Sequence, residues 1–283
     1  MQNKNLIWLN GIVPTDPMIR KKYGFDNIDW IELSKDYWSK YCEIHDGIDL
    51  YHYEKVSPPY TNTNKHRVPW TRWFDQIKFL EKPENSHYEK VYSVDASTLI
   101  NLKECPNIFT RTEREPDNDF WGTRDFANLG WTYDGIVGYE DICNYNNIKY
   151  DHTRYFAAGH VLYDVKKMLP MLKKLEKFYN DNMEVILEKQ NHSVRKGTDQ
   201  VVFNWLVQSE GIKYDLSLLD VRYQATHFKR YEWDKAADGY LRQNYILSIS
   251  GMSKKDERGI LMKELHELLL KLNLYPDYIG AVK

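Results

Sequence analysis

The 283-residue chain has almost no surplus charge: 39 Lys+Arg stand against 41 Asp+Glu, a formal net charge of −2. That balance gives no electrostatic case for duplex nucleic acid or an anionic membrane surface. Cysteine is scarce and scattered, at Cys42, Cys105 and Cys143, with no CxxC pair and no Cys/His set at zinc-finger spacing. This argues against a structural zinc site, and so sparse and odd a set suits reduced thiols in a cytosol. No apolar run approaches the length of a membrane span, and the one near the N-terminus is too short for a signal-peptide core. The expectation is a cytoplasmic protein with no membrane span. Also missing are a glycine-rich phosphate loop of the P-loop or dinucleotide type, a GxSxG and an HExxH. There is no internal repeat and no low-complexity tract.

What the chain does have is apolar and aromatic mass. It is 42% hydrophobic and 14% aromatic, with 9 Trp and 22 Tyr. That is enough to bury a sizeable core and argues against disorder. Aromatic side chains line sugar and nucleobase sites as well as cores, and packing accounts for most of them.

The hydrophobic pattern predicts alternating strands and helices. Strands are expected over residues 6–9, 48–53, 90–94, 155–163 and 245–249. Helices are expected over 29–44, 70–80, 165–190, 199–209 and 253–272. Pro170 falls near the first turn of the third helix, where proline costs least. Thr198 is the expected N-cap of the helix at 199–209 and Gly211 its stop. Residues 106–154 read as loop. The alternation predicts an α/β fold with a mixed, mostly parallel central sheet and helices on both faces.

Five weak signals follow one another in order. Arg72 sits on a helix. The strand VYSVDASTLI (91–100) ends in an acid, Asp95. YFAAGHVLYDVKKM (155–168) joins a small-residue strand to a helix. GTDQVVFNWLV (197–207) opens another helix at Asp199-Gln200. ILSISGMSKK (246–255) is a strand ending in a glycine turn.

That order resembles the GT-A-fold nucleotide-sugar glycosyltransferases, most closely the glycogenin and lipopolysaccharide galactosyltransferase group and virus-encoded relatives. The likeness runs from about residue 72 to 254. It implies a single domain over 1–283, with a nucleotide-binding half (1–100), an acceptor-side half (101–250) and a C-terminal helix (251–283). It implies hexosyl-type transfer from a nucleotide sugar, a UDP-sugar, to an unknown acceptor. Asp199 and Gln200 match the family's catalytic helix start. Arg72, Asp95, Ser97, Gly159, Gly251 and Lys254 match donor-binding positions. The resemblance around GTDQ and FAAG is to retaining enzymes. Carboxylates at a strand's carboxyl end suit a metal held against a diphosphate, with Arg72 and Lys254 adding fixed positive charge. Trp121, Trp131, His160 and His227 are acceptor-side candidates. Each also has an ordinary reading, as loop packing for the tryptophans and as a satisfied core residue for the histidines.

Three departures stand out. The second acid of the family's DxD is Ser97, the expected histidine of the last motif is Ser248, and the asparagine of its FNSG strand is Ala157. Of the family's three ligand positions Asp95 alone keeps its acid, with His227 as a candidate substitute ligand, so dependence on Mn²⁺ or Mg²⁺ is expected to be weak or absent. Two alternatives stay open: a degenerate protein of this fold that binds nucleotide or glycan without turnover, and a viral transferase acting on a modified DNA base.

Overall fold

The computed structural model describes residues 4–14, 17, 20, 28–63, 65–125, 136–192, 198–216, 239, 241–249 and 257–275. The chain opens with β1 (Lys4–Asn10), α1 (Asp29–Ile44), β2 (Ile48–Tyr53), α2 (Val68–Leu80), β3 (Tyr88–Asp95) and β4 (Thr98–Ile100). β5 (Phe120–Arg124), α3 (Tyr145–Ile148), β6 (Phe156–Asp164), α4 (Val165–Asp181) and α5 (Met183–His192) follow. α6 (Asp199–Ser209), β7 (Tyr214–Asp215), β8 (Ile246–Ser248) and α7 (Glu257–Lys271) close it.

Six strands form one sheet in the order β2-β1-β3-β6-β5-β7. β1 pairs in parallel with β2 and β3. β6 runs against both β3 and β5, and β7 is parallel to β5. A separate antiparallel pair, β4 with β8, lies outside this sheet.

The central strands are buried on both faces, which is why β1 reads as a continuous apolar run rather than an alternating one. Leu6, Trp8, Val91, Phe120, Val161 and Tyr163 point to one side and pack with apolar residues of α2, α4 and α6. Ile7, Leu9, Tyr92, Val94, Trp121 and Leu162 point to the other and pack with α1, α7 and the β4–β8 pair. The two-residue period of the strand thus divides the core into two layers, and helices cover both faces.

Three strands escape the hydrophobic pattern. β5 lies in the stretch expected to be loop, because FWGTR shows no alternation. Gly122 is there for close packing: a Cβ would meet Phe120, Leu216 and Phe156 at 3.1–3.2 Å. β4 and β7 are too short to register. The helix expected over 165–190 is two helices. It breaks at Asn182, whose side-chain amide donates to the Phe178 carbonyl at 2.9 Å alongside its own backbone N–H. Pro170 stands inside α4. Gly211, at φ +64°, ends α6 as expected, whereas Thr198 makes no side-chain capping bond.

Candidate active site at the carboxyl end of β3

Asp95 is the last residue of β3 and continues the Val91–Ser93 face, so its side chain meets α2. Arg72, on that helix, donates from Nη1 to Asp95 Oδ1 at 2.9 Å and from Nη2 to Asp199 Oδ2 at 2.8 Å. Trp73 Nε1 donates to the same Asp199 oxygen at 2.6 Å. One guanidinium therefore ties the end of a central strand to the N-terminus of α6. The inner members are closed off, with side-chain exposures of 6% for Arg72 and 3% for Asp199, while Asp95 keeps 35%. Asp95 is the member that reaches outward. Among the described residues Asp199 Oδ1 accepts no hydrogen bond.

The surroundings fix this arrangement from several sides. Across the β3–β6 ladder, Val94 faces His160, which sets Gly159 beside Asp95. A Cβ at Gly159 would lie 2.6 Å from Asp95 Oδ2, so only glycine leaves the carboxylate its seat. Thr98 Oγ1 donates to the Asp95 carbonyl and itself accepts from Trp38 Nε1, closing the turn after β3. Asn204 pairs with both Phe156 backbone groups at 2.9 Å, zipping α6 onto the start of β6. Tyr139 holds the Thr198 carbonyl.

The electrostatics follow from this packing. Burial alone would weaken the Arg72 cation, but Asp199 and then Asp95 more than offset it and hold its pKa above the ordinary value. Desolvation lifts the Asp95 carboxyl above the usual carboxylate range; Arg72 opposes this and the like charge of Asp199 adds to it.

Gln200, the second residue of α6, is engaged at both ends. Its Oε1 accepts from the Ala158 backbone N–H at 3.0 Å and its Nε2 donates to Asp125 Oδ2 at 2.9 Å. Asp125 directly follows β5, which runs parallel to β3 two places along the sheet, about 10 Å away. A third carboxylate thus stands at the same edge. Asp125, Trp73 and Asn204 were not among the sequence candidates. The signal for Asp125 was an acid at a strand's carboxyl end, and it was lost because the strand was not recognised. Trp73 and Asn204 carry no motif of their own.

The remaining candidates separate. Ser97 is buried just past Asp95, its carbonyl accepting from Ile249 N–H at 2.8 Å. Ala157 is buried in β6. Ser248 is buried and its hydroxyl pairs with His160 Nε2 at 3.3 Å, while His160 Nδ1 pairs with the Tyr92 hydroxyl. His160 and Trp121 lie on the sheet face away from Arg72, 1% and 2% exposed, and neither presents a surface to a ligand. Trp131, His227, Gly251 and Lys254 lie outside the described residues.

Burial, and secondarily the Arg72 charge, push the His160 imidazole down to about 3. It is neutral at physiological pH and holds stability that is complete above about pH 6.5, where the unfolded imidazole is also neutral. That stability drains as pH falls from there toward 3, because only the unfolded chain takes up the proton. Urea denaturation at pH 7.5 and 5 should show wild type losing about 2 kcal/mol more than His160→Asn over that interval. Equal losses would contradict the buried neutral imidazole.

A divalent cation needs several oxygen ligands not already committed to another cation. Asp95 and Asp199 each give one oxygen to Arg72, and Ser248 faces His160. Among the described residues no three His, Cys, Asp or Glu side chains are placed to hold a metal. The donor set among the described residues does not fit Mn²⁺ or Mg²⁺.

The order of strands and the edge on which these carboxylates gather define a GT-A-like glycosyltransferase fold. The crystal structure of a glycosyltransferase involved in the glycosylation of the major capsid of PBCV-1 superposes with a TM-score of 0.54 at 14% identity. That match covers 92% of this chain and 99% of the other. Mouse xyloside xylosyltransferase 1, in its apo form, aligns more loosely, with a TM-score of 0.44 at 9% identity over 89% of this chain and 99% of that one. No family model and no curated protein matches the sequence. Among the described residues no helix is long and apolar enough to cross a membrane.

Proposed function

We propose that the chain transfers a sugar from a nucleotide sugar, a UDP-sugar, to an acceptor hydroxyl. The observation that carries this reading is the Arg72 bridge between Asp95 and Asp199 at the carboxyl edge of the sheet, where α/β folds bind their ligands. The bond from the anomeric carbon to the diphosphate breaks, the acceptor oxygen bonds to that carbon, and the acceptor's proton is released. Asp199, buried and with one oxygen uncommitted, stabilises the positive charge that develops on the sugar. Asp95 and Ser97 face the donor, joined by Gly251 and Lys254. Gln200 acts as a positioning residue that orients Asp125 on the acceptor side, with Trp131 and His227 as further acceptor contacts. Transfer proceeds with retention.

Calorimetric titration with UDP, GDP and their sugars tests the reading, and no binding at millimolar concentration removes it. Slow release of UDP from a UDP-sugar, abolished by Asp199→Ala, establishes turnover. Binding without release assigns the chain to the non-catalytic alternative. Turnover is expected to persist in EDTA, because Arg72 already supplies a cation shared by both carboxylates. Activity lost in EDTA and restored by Mn²⁺ would overturn metal independence.

A further inference from the structure

Arg72 is the cation that the motif order offers to the donor's diphosphate, yet its two terminal nitrogens are spent on Asp95 and Asp199. One cation between two carboxylates leaves the group net negative, a poor seat for an anionic diphosphate. Attraction has to come from elsewhere at this edge.

Arg258 is a described cation placed to supply it. It lies in the first turn of α7, which packs against α1 and β4, the strand entered directly after Asp95-Ala96-Ser97. Its guanidinium sits over the Trp30 ring, 5.1 Å from the centroid. Its Nε is buried without a hydrogen-bond partner, and it forms no ion pair among the described residues. Its charge nevertheless acts on Asp95, and burial holds its pKa below the ordinary arginine value with Asp95 opposing that shift. A partly desolvated guanidinium whose Nε has no acceptor is costly, and such a group favours a ligand that supplies one. The stacking on Trp30 holds the planar fork in place, the preorganisation that favours bidentate binding of phosphate oxygens.

We propose that Arg258 is a diphosphate-binding residue that brings positive charge to the donor site where the family pattern has a metal. This rests on the nucleotide-sugar reading above, and it assigns to α7 a part in donor binding rather than packing alone. Arg72 then acts as the internal counterion that keeps two carboxylates together, and Arg258 as the cation available to the ligand.

The full chain is titrated by calorimetry with inorganic pyrophosphate, UDP and uridine, in wild type, Arg258→Met and Arg258→Lys. Methionine keeps an unbranched stem against Trp30, and Arg258→Gln replaces it if that variant does not fold. Pyrophosphate and UDP should weaken about tenfold or more in the neutral variants, as loss of a charge-assisted contact produces, with partial recovery in Arg258→Lys. Uridine binding should not change, and raising the salt concentration should weaken UDP binding more in wild type than in Arg258→Met. Equal UDP affinities, or equal losses for UDP and uridine, overturn the assignment. So does wild-type protein that fails to bind pyrophosphate. Pyrophosphate bound through Arg258 with no nucleotide bound at all keeps the anion site and rejects the nucleotide-sugar reading, so the two failures are distinguishable.

Discussion

Arg72→Met is expected to lower the free energy of unfolding by about 3–5 kcal/mol, the usual cost of removing one partner from a buried ion pair. The loss falls mainly on Asp199. Its side chain is 3% exposed and, among the described residues, would keep the Trp73 indole alone as a hydrogen-bond donor, whereas Asp95 reaches solvent and can rehydrate. Adding Asp199→Asn to Arg72→Met should recover part of the deficit, because the second change removes the stranded charge. The double-mutant cycle should then show a coupling of about 0.5–3 kcal/mol. Urea titrations of the three variants at pH 7.5 provide the check. A deficit below 1 kcal/mol, or strict additivity, would show that the bridge is not a structural tie.

How much of this was legible in the sequence depends on the range of the interactions involved. The helices at Asp29–Ile44 and Asp199–Ser209 and the strand at Ile48–Tyr53 match the expected bounds, because each carries its own periodicity. Asp95 at a strand end and Asp199 at a helix start were legible from local pattern, with Arg72 as the expected companion cation. That Arg72 joins both was not, since the contacts span 23 and 127 residues and no local pattern encodes them. His160 shows the opposite failure. Its place beside Gly159 suggested a site residue, but the strand's two-residue alternation turns it to the other face of the sheet, against Tyr92 and Ser248. Gln200 reads as catalytic from its motif, yet both ends of its amide are taken by Ala158 and Asp125. Arg258 carries no motif, and its significance appears only when both terminal nitrogens of Arg72 are seen to be taken by Asp95 and Asp199.

Asp199→Asn should leave nucleotide binding within a few fold of wild type and cut turnover by about 10²-fold or more, the usual cost of losing a positioned charged group. The amide keeps an oxygen that can accept from Trp73 and Arg72, so the fold and the donor-side edge should persist while the charge facing the sugar disappears. The direction of attack is then decided by which carboxylate does the work. If Asp199 stabilises an oxocarbenium-like centre while the diphosphate leaves, and the acceptor enters on the same side, the new linkage keeps the donor's anomeric configuration. If instead Asp125, oriented by Gln200, removes the acceptor's proton from behind the sugar, the linkage inverts and Asp125→Asn becomes the more damaging change. The Arg72 bridge ties Asp199 to Asp95, the strand end proposed to face the donor, which is the arrangement the first course requires. Proton NMR of the product's anomeric signal, read together with the turnover of both variants, separates the two. A retained product with Asp199→Asn as the more damaged variant supports Asp199 at the anomeric carbon. An inverted product, or an Asp199→Asn enzyme with unimpaired turnover, removes it from that role.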